Sequence, residues 1–149
     1  MVRFATNRLA IVVPPGNPDD IHDLSDLAKP GLKVVLATPQ VPVGRYAREA
    51  LSKTGVSVQP VSEAVDVKGV IGPVTLGEAD AGIVYASDVR AAGDRAEAVE
   101  IPPEHNVTAE YPIAVMRDSA NEAVARAFVE LVLSAEGRRV LEERGFKAP

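Results

Sequence analysis

An α/β fold built on a largely parallel sheet is what this sequence predicts, on three observations. Near-continuous apolar runs rich in β-branched residues recur at "RLAIVVP" (8–14), "LKVVLA" (32–37) and "AGIVYA" (81–86). Such runs suit strands buried on both faces. Stretches with helical spacing of apolar residues lie between them, as crossover connections require. The length, 149 residues, is enough for one such domain with a real core.

The elements follow in order. "RLAIVVP" is a buried strand bounded by the turn cluster "PPGNPDD". "DLSDLAKPG" is a short helix stopped by Pro30 and Gly31. "LKVVLA" is a second buried strand and "TPQVP" a loop. "VGRYAREALSKTG" is a helix with Gly55 as its stop. "VSVQPV" (56–61) reads as a third strand. "DVKGVIGPVTLGEAD" (66–80) has helical apolar spacing at Val67, Val70, Ile71 and Val74. Pro73 inside it is expected to kink that helix or to start its main body. "AGIVYA" is a further strand. "AEAVEIP" and "EYPIAVM" (110–116) add two more, with Pro112 marking an edge or a strand start. "DSANEAVARAFVELVLS" is a helix: Ser119 and Glu122 have capping-box spacing, and Val124, Ala127, Phe128 and Leu131 line one face. "SAEGRRVLEERGF" is a shorter last helix, closed by Gly145.

Composition excludes several functions. Aromatic residues are 4% of the chain and Trp is absent, so no stacking platform for nucleic acid is expected. The net charge of −5 argues against a phosphate-backbone partner. With no Cys, disulfides, thiolate nucleophiles and Cys-based metal sites are out. His22 and His105 are far apart and lack ligand spacing; both read as surface residues, and no metal is expected. No apolar run is long enough to span a bilayer, and "MVRFATNRLAIVV" lacks a cleavage pattern and reads as a strand. Two readings of that absence stay open: a cytoplasmic protein, or a piece of a longer exported one. No Ser–His–Asp grouping, phosphate loop or dinucleotide fingerprint is present, so an enzyme is not expected. "NVT" at 106–108 matches a glycosylation sequon, a frequent chance match.

The chemistry points to the helix starts. In an open α/β sheet, ligands bind beyond the carboxyl ends of the strands, where helix N-termini gather. "QVPVGRYAREAL" begins a helix with Pro42, Val43 and Gly44, with no acidic or hydroxyl side chain to take the free N–H groups. A second helix starts near Val67, and strand 81–86 ends at Tyr85. All three are neutral donors, which suits an oxyanion held by dipoles and hydrogen bonds. Each also has a plainer reading. The start at Val43 could be water-capped, Val67 a core residue, and Tyr85 a half-buried ring satisfied locally. The functional case rests on their convergence.

"FATNRLAIVVPPGNP", "VPVGRYAREAL", "GEADAGIVYASD", "EYPIAVM" and "RRVLEERGF" together resemble the molybdate-binding proteins of bacterial ABC transporters. These are periplasmic-binding-protein-like proteins that hold molybdate or tungstate between two lobes. The resemblance runs in order along nearly the whole chain. It implies a periplasmic binding protein type II-like lobe and an oxyanion site of backbone N–H groups and hydroxyls. On the matching positions the ligand-binding residues are Val43 (N–H), Val67 (N–H) and Tyr85 (hydroxyl). The ligand is molybdate or tungstate, with no cofactor. Gly69, Gly72 and Pro73 depart from the regular helix expected after Val67.

The family's first lobe, with an "AASL"-like segment and a Ser-bearing loop, has no counterpart before Phe4. The resemblance therefore divides the chain into a second-lobe α/β domain, 1–116, and C-terminal helices, 117–149, that would pack on a first lobe. Without that lobe the helices are expected to repack on their own lobe or to associate with a second copy. The implied role is the substrate-binding component, truncated, of a molybdate or tungstate uptake system. Its partners are the oxyanion and an ABC permease, with no nucleic acid. Its parent is periplasmic, or extracytoplasmic as a membrane-anchored lipoprotein. The alternative is the ligand-sensing domain of a molybdate-responsive transcriptional regulator.

Overall fold

The computed structural model describes residues 1–149, and its contacts divide the chain into two compact units. The larger is Arg8–Val107; the smaller joins Met1–Asn7 to Thr108–Pro149.

In the larger unit, β1 (Val2–Val13, shared with the smaller unit) is joined by β2 (Val34–Ala37), β3 (Ser62–Ala64), β4 (Ala81–Tyr85) and β5 (Glu97–Glu100) in the order β3-β2-β4-β1-β5. β2 runs parallel to both β3 and β4, whereas β1 runs antiparallel to β4 and β5. The parallel part is where helices provide the crossovers: α1 (Pro42–Thr54), α2 (Val67–Thr75) and α3 (Ala86–Ala92). Leu9, Ile11, Leu36, Val70, Val74 and Ile83 form the centre of the core. Burial of each such side chain contributes roughly 1.5–3 kcal/mol.

The α/β class and most elements agree with expectation, and several details differ. β1 spans Val2–Val13, in line with the strand read over 1–13, and so extends ahead of the buried run that starts at residue 8. The run 56–61 forms no strand. Val61 N donates one bond to Val34 O (2.9 Å), and the strand proper is Ser62–Ala64. Pro60 has no N–H for a ladder there. α2 starts at Val67 and runs through Pro73, ending two residues later. α3 arises from "ASDVRAA", a helix its short apolar pattern did not announce. α1 ends as expected, with Gly55 at φ 67°.

In the smaller unit, β6 (Thr108–Ile113) pairs with β1, and Thr6 and Lys147 exchange backbone bonds of 2.8 and 2.9 Å. The rings of Phe4, Tyr111 and Phe146 stack in series, with centroids 6.3 and 5.7 Å apart. Residues 108–116 thus pack with the C-terminal helices α4 (Glu122–Leu133) and α5 (Ala135–Glu143). The capping box does not form. Asn121 occupies the N-cap without a side-chain bond, and Ser119 Oγ accepts from Asn121 N instead (3.2 Å). Ser119 stands two residues ahead of the cap, too far from the N3 amide. Neither α4 nor α5 buries a residue. Val124 is 69% exposed, Phe128 58% and Leu131 52%. A groove of ≈ 410 Å³ lies among Phe4, Ile113, Phe128, Leu131, Val140 and Leu141.

Candidate functional site

The three predicted donors leave the sheet by one edge. β3, β2 and β4 are adjacent and parallel, so their carboxyl ends share that edge. Ala37 pairs with Ala64, and Val35 with Gly82. Carrying the second register forward sets Thr38 level with Tyr85. With strands about 4.8 Å apart, the exits of β3 and β4 lie about 10 Å apart across β2. From these exits the chain reaches Val43 by way of Thr38–Val41, Val67 by way of Val65–Asp66, and Tyr85 directly.

The start of α1 lacks an acceptor for its first N–H groups. Val41 is the N-cap, no side chain caps the helix, and its first turn holds no acidic residue. The N-cap amide of Val41 donates to Thr38 O at 3.2 Å, and that of Arg45 donates to Val41 O at 3.1 Å. Val43 tucks its side chain into the core at 4% exposure, which leaves its amide at the helix end. Gly44 makes this approach feasible: a Cβ there would stand 2.0 Å from Thr38 O and 2.6 Å from Ala37 O. Only a residue without a side chain lets the helix begin directly against the exit of β2.

α2 is different. Asp66 is its N-cap, and Oδ1 accepts from Gly69 N at 2.8 Å. A single cap oxygen engages the N3 amide and leaves those of Val67 and Lys68 for another acceptor. Val67 itself is half-buried. It borders a groove of ≈ 350 Å³ between α2 and α3, lined also by Lys68, Ile71, Asp88 and Arg95. Neither Val43 nor Tyr85 lines that groove, so it is not the crevice at the sheet edge.

Tyr85 closes β4 and caps α3, half-buried beside Leu9 of β1. Its N–H donates to Asp88 Oδ2 at 3.0 Å. Burial pushes the Asp88 carboxyl above its ordinary range, while the bond from Tyr85 N pulls it back. Asp88 thereby fixes the turn that presents Tyr85. Sequence reasoning passed over this residue, although its spacing of three from Tyr85 is a capping signal.

Other features settle as structure. His22 Nε2 lies 2.7 Å from Asp20 on the surface, and His105 is half-buried in a loop. The sequon asparagine, Asn106, is buried at 8% exposure. Its Oδ1 accepts from Leu9 N (3.0 Å) and Val107 N (2.7 Å), and its Nδ2 donates to Leu9 O (2.9 Å). That amide is committed to the fold. No group of three His, Asp or Glu side chains is placed to hold a metal ion, and no helix is long and apolar enough to cross a membrane.

Comparison with known proteins follows the same lines. The family profile described as bacterial extracellular solute-binding protein matches residues 1–147. The molybdate-binding protein ModA of Mycobacterium tuberculosis is 42% identical over 146 residues, covering 98% of this chain and 56% of that protein. ModA of Escherichia coli is 30% identical, with 94% and 58% covered. The chain thus spans a little over half the length of these relatives. Among solved structures, the substrate-binding domain of a putative molybdenum ABC transporter from Clostridium difficile superposes with a TM-score of 0.82. It is 28% identical, with 99% of this chain and 66% of that one covered. The architecture is that of a periplasmic-binding-protein lobe.

Proposed function

The chain belongs to the family of bacterial extracellular solute-binding proteins, and we propose that it forms one wall of an oxyanion site in a molybdate uptake system. Members of such a family capture a solute and release it unchanged, so they are not enzymes. The names borne by the relatives support molybdate as the ligand. Tungstate, with the same charge and tetrahedral shape, would compete for the same donors.

The observation that carries the reading is the start of α1: a buried Val43, a Gly44 pressed on the β2 exit, and no side chain on the first amides. In this reading the N–H groups of Val43 and Val67 and the Tyr85 hydroxyl bind the dianion. Helix ends favour negative charge by about 0.3–1 kcal/mol each, and by up to about 2 kcal/mol when partly buried. Donors from the facing lobe of a full-length relative would complete the shell, because a desolvated dianion needs hydrogen bonds on every side. A neutral site of this kind discriminates molybdate from sulfate by size. Closure of two lobes on the anion is what a permease would then recognise. A transcriptional sensor would share the fold, and no observation here favours that reading over the transport one.

The test is amide NMR on the labelled 149-residue chain, titrated with sodium molybdate and with sodium sulfate at equal ionic strength. Shifts concentrated at Val43, Gly44, Val67 and Tyr85, larger for molybdate, are expected. Shifts confined to other residues, or none, would overturn the assignment.

We further infer that the apolar face of α4 and α5 is an association surface, with a second copy of the chain as its occupant in solution. Val124, Phe128, Leu131 and Val140 of these helices are 43–69% exposed, an apolar face of the kind that marks association. Ion pairs Glu122–Arg126 and Arg139–Glu143 place both charge signs on these helices. Light scattering after size exclusion should show dimers that Phe128→Glu converts to monomer. A wild-type monomer at high concentration would refute the inference.

A further inference from the structure

We propose that Arg48 is a positioning residue that sets the spacing between the two anion-binding helix starts, and with it the size discrimination of the site. The proposal rests on the functional reading above. Arg48 lies one turn beyond Gly44 on α1 and is half-buried. Its Nη1 donates to Ala37 O at 2.6 Å and to Gly44 O at 2.9 Å. Its Nη2 donates to Glu63 Oε1 at 2.6 Å. One guanidinium therefore joins the backbone at the end of β2 and in the first turn of α1 to a side chain of β3.

Those pieces lead to two of the three proposed donors. Gly44 follows Val43 directly, and Glu63 stands four residues before Val67 on the strand that delivers it. The backbone bond Thr38 N to Ala64 O (2.8 Å) ties the same two exits where the strands stop pairing. Arg48 continues that tie on the side of α1. A planar fork can satisfy acceptors on separate elements at fixed angles; an ammonium is a single point charge on a flexible stem. Glu63 also neutralises the guanidinium, so the cation adds little net charge beside the site. Its contribution is geometric. In a site of neutral dipoles, anion selection depends on donor spacing, and spacing is what this bracket holds.

The experiment uses the full 149-residue chain as wild type, Arg48→Lys, Arg48→Met and Glu63→Gln. Glu63→Gln keeps the guanidinium and its two carbonyl acceptors, and so covers the case in which Arg48→Met fails to fold. Crystal structures give the distance between the amide nitrogens of Val43 and Val67. That distance is expected to lengthen in Arg48→Met and Arg48→Lys and to shift less in Glu63→Gln. NMR titrations give the molybdate affinity and its ratio to sulfate. Affinity for molybdate should fall about tenfold in Arg48→Met, equivalent to about 1.4 kcal/mol. The molybdate-to-sulfate ratio should shrink with it, and the perturbation at Tyr85 should persist. A role in stability alone would lower the melting temperature and leave that ratio unmoved. Unchanged spacing in the folded variants overturns the proposal, as does an unchanged ratio. If the wild type shows no anion response at all, the functional reading falls, and the spacing measurement still decides whether Arg48 is the bracket.

Discussion

Adding one methyl group at Gly44 tests the packing on which the site depends. A Cβ built there meets Thr38 O at 2.0 Å, Ala37 O at 2.6 Å and Thr38 C at 2.7 Å. All three atoms are backbone of the β2 exit, so no side chain can swing aside. To restore even a tight contact, α1 must recede by about 1 Å, in an interior packed as densely as a crystal. Overpacking of this kind costs about 3 kcal/mol, at the upper end of the usual range. Alanine returns about 1 kcal/mol through its better helix propensity. The net expectation for Gly44→Ala is a loss of about 2 kcal/mol, or about 4–8 °C in melting temperature for a chain of this size. Gly72→Ala is the comparison: inside α2, nothing beyond its chain neighbours lies within 4 Å of the added atom, although Gly72 precedes Pro73, whose ring crowds a Cβ on helical backbone. That crowding offsets the roughly 0.5–1 kcal/mol of better helix propensity, so the variant should stay close to wild type in stability. Urea denaturation followed by circular dichroism reads both. Gly44→Ala should also blunt the molybdate response at Val43, since the helix start moves. A Gly44→Ala chain as stable as Gly72→Ala would refute the close-approach argument.

Further outcomes follow from particular contacts. Tyr85→Phe should weaken molybdate binding by ~1.5–3 kcal/mol, the range for a hydrogen bond to a charged group; calorimetry or NMR showing equal affinity removes Tyr85 from the site. Asn106→Asp keeps the acceptor for Leu9 N and Val107 N but removes the donors to Leu9 O and Ile101 O. It also places a charge in a buried position, and should lower stability by about 3 kcal/mol at neutral pH; an unmoved urea midpoint contradicts this. Asp26 accepts from His22 N at 2.7 Å and pairs with Lys29 at 3.2 Å. The bond from His22 N, above all, holds its pKa below 3.8. A carboxyl lowered by folding contributes stability that is present above the unfolded pKa and lost as pH falls through the folded one. The difference in urea midpoint between wild type and Asp26→Asn should therefore narrow between pH 7 and pH 3. A difference that does not change with pH argues against the assignment.

Much of this protein is legible along the chain. The apolar runs at 8–14, 32–37 and 81–86 became the central strands, because continuous β-branched burial is a local pattern. The start of α1 was legible for a similar reason: proline, a small residue and no capping side chain are neighbours in sequence. Local patterns also misled. "VSVQPV" has strand composition, yet Pro60 cannot donate and pairing begins only after it. Ser119 and Glu122 have the right spacing, but the helix starts three residues after Ser119.

What the sequence determined by itself was the class of fold, the family and the residue types at the helix starts, all carried by patterns within about fifteen neighbours. The tertiary structure decided the rest. It set three strand exits on one edge, brought Glu63 to Arg48 and Asn106 to Leu9, and left α4 and α5 without a buried face. Contacts between residues 15 to 97 apart depend on how strands pair and helices cross, and side-chain periodicity carries no record of that pairing.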